Sequence, residues 1–216
     1  SVLASSTTAS STTSTNTNIY FENGTCKCPN ASVGETGTIN GTLYTVVDDS
    51  TIAAEISNGN INLCTSKVTN MSANNTQFPQ NFNSDIGFWD TSNVTNMNVM
   101  FAFRPFNQDI GNWDVSNVTT MLDMFQTNDQ NAVFNQDIGN WDVSNVTVFG
   151  LFLAGQTSFN QDLSGWCVAN STFNDSFYIG TNALPVSYRP IKKEFTVALT
   201  SGSLSQTVTA TNAITP

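Results

Sequence analysis

Aspartate recurs at two fixed places of a repeated phrase, and these carboxylates are the side chains best placed to do chemistry. One set is Asp85, Asp109, Asp137 and Asp162; the other is Asp90, Asp114 and Asp142. If the copies of the phrase stack, neighbours within a set stand about 5 Å apart, the separation between the two carboxyls of a retaining glycosidase. Stacked carboxylates also suit calcium, a hard cation that takes oxygen ligands. The third role is structural: a carboxylate can accept backbone N–H groups of its own loop. A catalytic pair is normally singular, whereas these sets recur from copy to copy. That favours loop capping, and leaves Asp90, Asp114 and Asp142 as a candidate ligand or calcium face. The chain has no histidine, so the usual acid or base near neutral pH is missing. No catalytic residue is expected, and calcium is the one metal the acidic columns suit.

The phrase runs Phe106-Asn-Gln-Asp-Ile-Gly-Asn-Trp-Asp-Val-Ser-Asn-Val-Thr-Thr-Met121. It opens at Phe82, Phe106, Phe134 and Phe159, in steps of 24, 28 and 25 residues, and the last copy dissolves after Val168. Val68-Thr69-Asn70-Met71 is a half-copy ahead of the first. Self-similarity at this period implies a solenoid, in which no coil can bury its own apolar face and stacking buries it. Ile110, Trp113, Val115 and Val118 predict a short strand. Thr119 is the expected N-cap of a helical turn that puts Met121, Met124 and Phe125 on one face, as Met97, Met100 and Phe101 do one copy earlier. Stacking would align Trp89, Trp113, Trp141 and Trp166 into one column and Asn83, Asn107, Asn135 and Asn160 into another. The Trp column reads as packed core, with a platform for sugar rings as the other reading; the Asn column reads as an internal hydrogen-bond ladder.

The phrase resembles the BspA-like, mycoplasma-lipoprotein type of bacterial surface leucine-rich repeat, over roughly residues 62–170. The resemblance implies a secreted or cell-surface protein associated with adhesion and binding, and it brings no catalytic residues. Val148-Phe149-Gly150 departs from the Thr-Met pair of the other copies, and the last copy lacks its helical half.

The expected fold is therefore mainly β with short helical turns, a leucine-rich-repeat-type solenoid of four to five coils. Residues 1–18 form a Ser/Thr-rich tail, 19–66 an N-terminal cap, 67–170 the repeats and 171–216 a C-terminal β extension, read as a hairpin. The tail has the composition of a linker or an O-glycosylated stalk. In the cap, Asn40-Gly41 marks a hairpin and Asp49–Ile56, which opens with cap residues, a short helix. Net charge is −10 with six Lys and Arg, which argues against nucleic acid. No apolar run approaches the ~18 residues of a membrane span.

Four cysteines, Cys26, Cys28, Cys64 and Cys167, are disulfide candidates in an extracellular chain. The repeat register puts Cys64 and Cys167 in the column of Asp90 but at opposite ends, about 19 Å apart at the sheet spacing, beyond disulfide reach. Cys64 is thus expected to pair with Cys26 or Cys28, leaving Cys167 to pair with one of those two in a neighbouring subunit. Candidate glycosylation sites are Asn23, Asn40, Asn93, Asn117 and Asn145, by the Asn-x-Ser/Thr pattern, and Ser50, in an Asp-Ser-Thr triplet.

The function expected from these features is non-catalytic: adhesion, or self-assembly into a surface fibre or shell. The alternatives are a glycan-binding module and a virion decoration or fibre protein. Expected partners are other copies of the chain, another surface protein or a polysaccharide, with no nucleic acid and no membrane insertion. The expected location is secreted or cell-surface, with the virion surface as alternative.

Overall fold

The computed structural model describes residues 17–128, 131–171, 177, 184–190, 194–197 and 208–211. Nearly all of the Ser/Thr-rich tail lies outside them. Among the described residues regular structure is mainly β, with a few short helices and no closed barrel.

Two hairpins open the chain: β1 (Tyr20–Glu22) with β2 (Thr25–Lys27), and β3 (Thr36–Ile39) with β4 (Thr42–Asp48). Each turns on Asn-Gly with both residues at positive φ, 51° and 85° at Asn23-Gly24 and 50° and 84° at Asn40-Gly41. Two-residue turns of this hand match the twist of the strands, and Asn and Gly bear the left-handed backbone most readily. α1 (Ile52–Ser57) buries Ile52 and Ile56 and leads to β5 (Leu63–Lys67). β5 pairs with β4 in parallel while β3 pairs with it antiparallel, giving the order β3-β4-β5. β3 therefore covers the outer edge of β4. α2 (Ala73–Thr76) is one turn long. Beyond the repeats, β6 (Glu194–Val197) and β7 (Val208–Thr211) form an antiparallel pair. The Ser-Gly-Ser turn expected between them lies outside the described residues.

The copies lie against one another in sequence order, but each is built of turns. The strand expected from Ile110 to Val118 does not form. Its parallel pairing shrinks to single-residue bridges, Asn70↔Asn96, Asn96↔Thr120 and Thr120↔Val148. The reason is local: Trp113 N–H bonds to the Ile110 carbonyl and Val118 N–H to that of Val115, and such three-residue bonds curl the chain away from a pleat. Nor is Thr119 a helix cap. Its hydroxyl donates to the Thr95 carbonyl of the preceding copy at 3.1 Å. The helical turn is a turn only: Met124 N–H reaches Met121 O and Gln126 N–H reaches Asp123 O, and Asp123 sits at φ 57°, which no α-helix accommodates. Met121, Met124 and Phe125 are nonetheless buried together, as are Met97, Met100 and Phe101.

One continuous apolar core runs from Val47 to Leu184. Its spine is a double file of Phe rings. Phe82, Phe106, Phe134 and Phe159 stack at 6.1, 6.5 and 5.9 Å; Phe78, Phe101, Phe125 and Phe152 follow at 5.5, 5.6 and 5.3 Å. The two files meet in pairs, Phe78–Phe82, Phe101–Phe106 and Phe125–Phe134, at 4.0, 3.8 and 3.9 Å. Such pairs contribute roughly 0.5–1.5 kcal/mol each beyond the area they bury.

The phrase's glycine is explained by the next copy. A Cβ on Gly87, Gly111 or Gly139 would meet the carbonyl oxygen of Asp109, Asp137 or Asp162 at 2.5, 2.6 and 2.5 Å. In the fourth copy, after which no further copy follows, the same place holds Ser164. Gly111→Ala is therefore expected to lower unfolding stability by about 1–3 kcal/mol. Gly165→Ala, whose nearest neighbour would be 3.8 Å away, should change it by less than about 0.5 kcal/mol; urea titration of the two variants measures both.

Candidate binding face

Both aspartate columns cap loops. Oδ1 of Asp85, Asp109, Asp137 and Asp162 accepts the N–H two residues on, from Gly87, Gly111, Gly139 and Ser164, at 2.9–3.0 Å. In the second column Asp90, Asp114 and Asp142 accept from the N–H of Ser92, Ser116 and Ser144 at 3.2, 3.0 and 3.1 Å. The hydroxyls of Ser92 and Ser116 add bonds of 2.7 and 2.6 Å. The Ser144 hydroxyl and N–H hold the Asp142 carboxyl below the usual carboxylate range, and the Ser164 N–H and hydroxyl do the same for Asp162.

Asp90 leaves the face that its register assigns it to. It is 3% exposed and carries the ion pair of the structure's N-terminal end, Lys27 Nζ to Oδ1 at 2.8 Å, while the Ser66 hydroxyl donates to Oδ2 at 2.5 Å. Burial alone would raise its pKa; the Lys27 ammonium, Ser66 and Ser92 together outweigh burial and carry it below the usual range. β2 lies across the first copy and removes this carboxylate from solvent. The outward members of the column are Asp114 and Asp142. Among the described residues no three acidic, His or Cys side chains come together to hold a metal ion.

Beside these aspartates run two further exposed rows. Asn93, Asn117, Asn145 and Asn170 donate Nδ2–H to the carbonyls of Ser66, Ser92, Ser116 and Ser144 in the preceding copy, at 2.8, 2.7, 2.7 and 3.4 Å. Thr95, Thr119 and Thr147 each donate both N–H and hydroxyl to the Thr carbonyl one copy back. At the start of this row no such carbonyl exists, and Asp49 replaces it, accepting Thr69 N–H, Thr69 Oγ1–H and Asn70 N–H at 2.8, 2.6 and 3.0 Å.

The Asn column of the phrase is a ladder on another side. Oδ1 of Asn83, Asn107 and Asn135 accepts the N–H of Asn107, Asn135 and Asn160 at 2.9, 2.9 and 3.0 Å, and a Gln amide beside each. The Trp column is core. Trp89, Trp113, Trp141 and Trp166 are at most 4% exposed, and their indole N–H groups donate backward to Ile61, Ile86, Ile110 and Ile138 carbonyls at 3.0–3.2 Å. Buried this way, none of them offers a sugar its face.

Cys28 and Cys64 are joined by a disulfide, while Cys26 is a buried thiol and Cys167 an exposed one. Burial, and then the nearby Asp90 carboxylate, push the Cys26 thiol up to about 12. The Cys28–Cys64 bond is one of the two pairings expected for Cys64, and it leaves Cys26 as the remaining thiol for the expected bond between Cys167 and a neighbouring copy. Among the glycosylation candidates, Asn23 and Asn40 are exposed on hairpin turns. Asn93, Asn117 and Asn145 use for their ladder the very nitrogen a glycan would occupy. Ser50 is exposed, its hydroxyl donating to Asp48 at 2.8 Å. A recess of about 160 Å³ lined by Ser72, Ala73, Asn74, Asn96, Asn98 and Val99 is smaller than the roughly 300–1,000 Å³ of typical ligand pockets.

Sequence reasoning missed the Thr row, the Asn117 row and the second file of Phe rings. The signal was present, since Asn117 and Thr119 recur in three copies of the phrase and Phe101 and Phe125 in two. Asp49 carried no signal, because it stands in for a carbonyl outside the repeat.

A family model described as a Mycoplasma protein of unknown function, DUF285, matches residues 45–166 and again 129–189. The family is related to the BspA-like surface repeat proteins. The match begins inside β4, ahead of the first recognisable phrase. No curated protein and no solved structure matches the chain.

Because the folded-state pKa of Asp90 is depressed, its contribution to stability is complete above the unfolded carboxylate value, ~3.9, and is lost as pH falls through the folded value. Asp90→Asn should destabilise the protein at pH 7 by roughly 1.5–3 kcal/mol. It should also flatten the fall in stability between neutral pH and the acid limb, as read from denaturant titrations at stepped pH.

Proposed function

This chain belongs to the DUF285 family, and from that premise we propose that it is a secreted or cell-surface adhesion module that works by contact alone. Its repeats are taken to form a leucine-rich-repeat-type solenoid of four to five coils. The observation that carries the reading is that the exposed Asp, Asn and Thr rows continue from copy to copy, with each group anchored at one end by the fold. The carboxylates cap loop N–H groups through Oδ1 in the same way in copy after copy, and this repetition supports a holding surface over a singular reacting site. Between the two contact roles, adhesion has the better support. Coil-on-coil assembly would continue the parallel stack, whereas at the N-terminal end the edge strand is β3, antiparallel to β4. A strand added there would have to pair with β3 and could not repeat the parallel register of the copies.

Sedimentation over a wide concentration range is the direct test. The adhesion reading expects a monomer throughout, together with saturable binding of the purified protein to cells or matrix. That binding should weaken when Asp114, Asn117 and Thr119 are replaced together. Concentration-dependent filaments would favour assembly and overturn it.

A further inference from the structure

We propose that the recess lined by Ser72, Ala73, Asn74, Asn96, Asn98 and Val99 binds the acetamido group of an N-acetylated amino sugar. The site uses none of the Asp114, Asn117 or Thr119 rows and stands or falls apart from them. Its first mark is that it occurs once. The bridges Asn70↔Asn96, Asn96↔Thr120 and Thr120↔Val148 fix which residues correspond. Where the half-copy meets the first copy, Asn96 and Asn98 stand beside Ser72; the later copies hold Thr120 with Leu122 and Val148 with Gly150 at those places. The second mark is a set of polar groups without partners. Asn96 Oδ1 accepts the Asn98 N–H at 3.0 Å, and Asn98 Oδ1 accepts the Thr120 hydroxyl at 2.5 Å and the Leu122 N–H at 2.8 Å. These bonds fix how both amides are turned, because only the oxygen can meet those donors. Both Nδ2 groups keep their hydrogens, with no acceptor among the described residues, and they are open to solvent. The hydroxyl of Ser72, a residue 7% exposed, and the side chain of the exposed Asn74 have no partner among them either.

The lining names the ligand. Nδ2 of Asn96 and of Asn98 require an acceptor. An anion is disfavoured, since between residues 68 and 171 the sequence holds nine Asp, no Lys and one Arg, and that Arg104 is turned onto the carbonyls of Phe78, Pro79 and Ala102. A neutral carbonyl remains. The Ser72 hydroxyl and the Asn74 amide can each accept an N–H. Ala73 and Val99 offer apolar contact to a methyl group. Val99 sits at φ 60° with its N–H bonded to Leu122 O at 2.8 Å, a backbone that a β-branched residue adopts only where its surroundings hold it. An acetamido group supplies the carbonyl, the N–H and the methyl together. Size agrees: about 160 Å³, against the ~300 Å³ at which whole-ligand pockets begin, admits one substituent and leaves the sugar ring at the rim. An acetylated lysine carries the same group on a flexible four-carbon stem, and so small a recess gives that stem nothing to pack against.

The test is a titration of the isotope-labelled whole chain, followed by NMR at the Asn side-chain amides. The probes are N-acetylglucosamine, glucosamine, glucose, acetate and Nε-acetyl-lysine. Asn96→Asp keeps the oxygen that accepts the Asn98 N–H and removes the NH2 group. Asn30→Asp adds the same charge at an exposed place in the N-terminal cap and serves as control. Ser72→Ala is a second variant, and because Ser72 makes no side-chain cap bond to α2 it removes the hydroxyl without unseating the turn. N-acetylglucosamine is expected to shift the Asn96 and Asn98 amide signals and to bind more tightly than the other four probes. Asn96→Asp should lose about tenfold in affinity and the control under about twofold, and Ser72→Ala should also weaken binding. No shift at Asn96 and Asn98, equal binding of glucose or glucosamine, or equal losses in Asn96→Asp and the control overturns the proposal. Tighter binding of acetate overturns it in favour of an anion, and tighter binding of Nε-acetyl-lysine overturns the sugar as carrier. All of these outcomes leave the Asp114, Asn117 and Thr119 rows to their own test.

Discussion

A single copy of this phrase cannot satisfy its own backbone, and the structure follows from that shortage. The turns at Ile110–Trp113, Val115–Val118 and Met121–Met124 use some N–H and C=O groups internally. The remainder point along the stacking direction and find partners only in the neighbouring copies. Met97 N–H bonds to Thr120 O, Met121 N–H to Val148 O, Phe101 N–H to Met124 O and Phe125 N–H to Phe152 O. An unpaired buried backbone group costs about 1–3 kcal/mol. A copy without neighbours would leave several such groups unpaired, along with an exposed Phe pair.

Side-chain identity in the phrase is the record of that constraint. Glycine stands where the neighbouring Asp carbonyl presses close, and serine replaces it where the series stops. Tryptophan stands where an indole N–H can reach an Ile carbonyl one copy back, and the first of the series, Trp89, uses Ile61. Asparagine, with threonine and glutamine, bridges from side chain to the backbone of an adjacent copy. The ends require other devices. Asp49 supplies by carboxylate the acceptors that a preceding Thr would have supplied by carbonyl, and β3 lies antiparallel along the outer edge of β4. The Cys28–Cys64 disulfide and the Lys27–Asp90 pair fasten β2 to the first copies. These are the parts of the molecule where charge and covalent chemistry do what repetition does elsewhere.

This division explains what could be read from the residues alone. The period, the aspartate and asparagine columns and the buried faces of Met121, Met124 and Phe125 were legible because stacking repeats them. The Asn-Gly hairpin and α1 were legible because their signals are local, although the Thr51 side chain makes no cap bond and Asp48 Oδ1 accepts the Ser50 and Thr51 N–H groups instead. The strand over Ile110–Val118 was misread: apolar residues at β-like intervals also suit a chain of tight turns, and only the position of the next copy decides between them. Thr119 was misread for the same reason, since its cap-like place in sequence hid a partner 24 residues away. Asp90 shares a column with Asp114 but not its exposure, because β2 comes from outside the repeat. The candidate face was thus half legible: its aspartates were found, while its Asn and Thr rows showed themselves only with their hydrogen bonds.

The contact reading rests on anchored, outward polar rows. All of it presupposes that each copy is completed by its predecessor. Hydrogen exchange at the four indole N–H groups tests that most directly, because each is held by a carbonyl of the segment before it. NMR of the native protein should find Trp89, Trp113, Trp141 and Trp166 all protected by orders of magnitude relative to a free indole. Four indoles exchanging at the free rate would mean that the copies do not complete one another, and the account would fail.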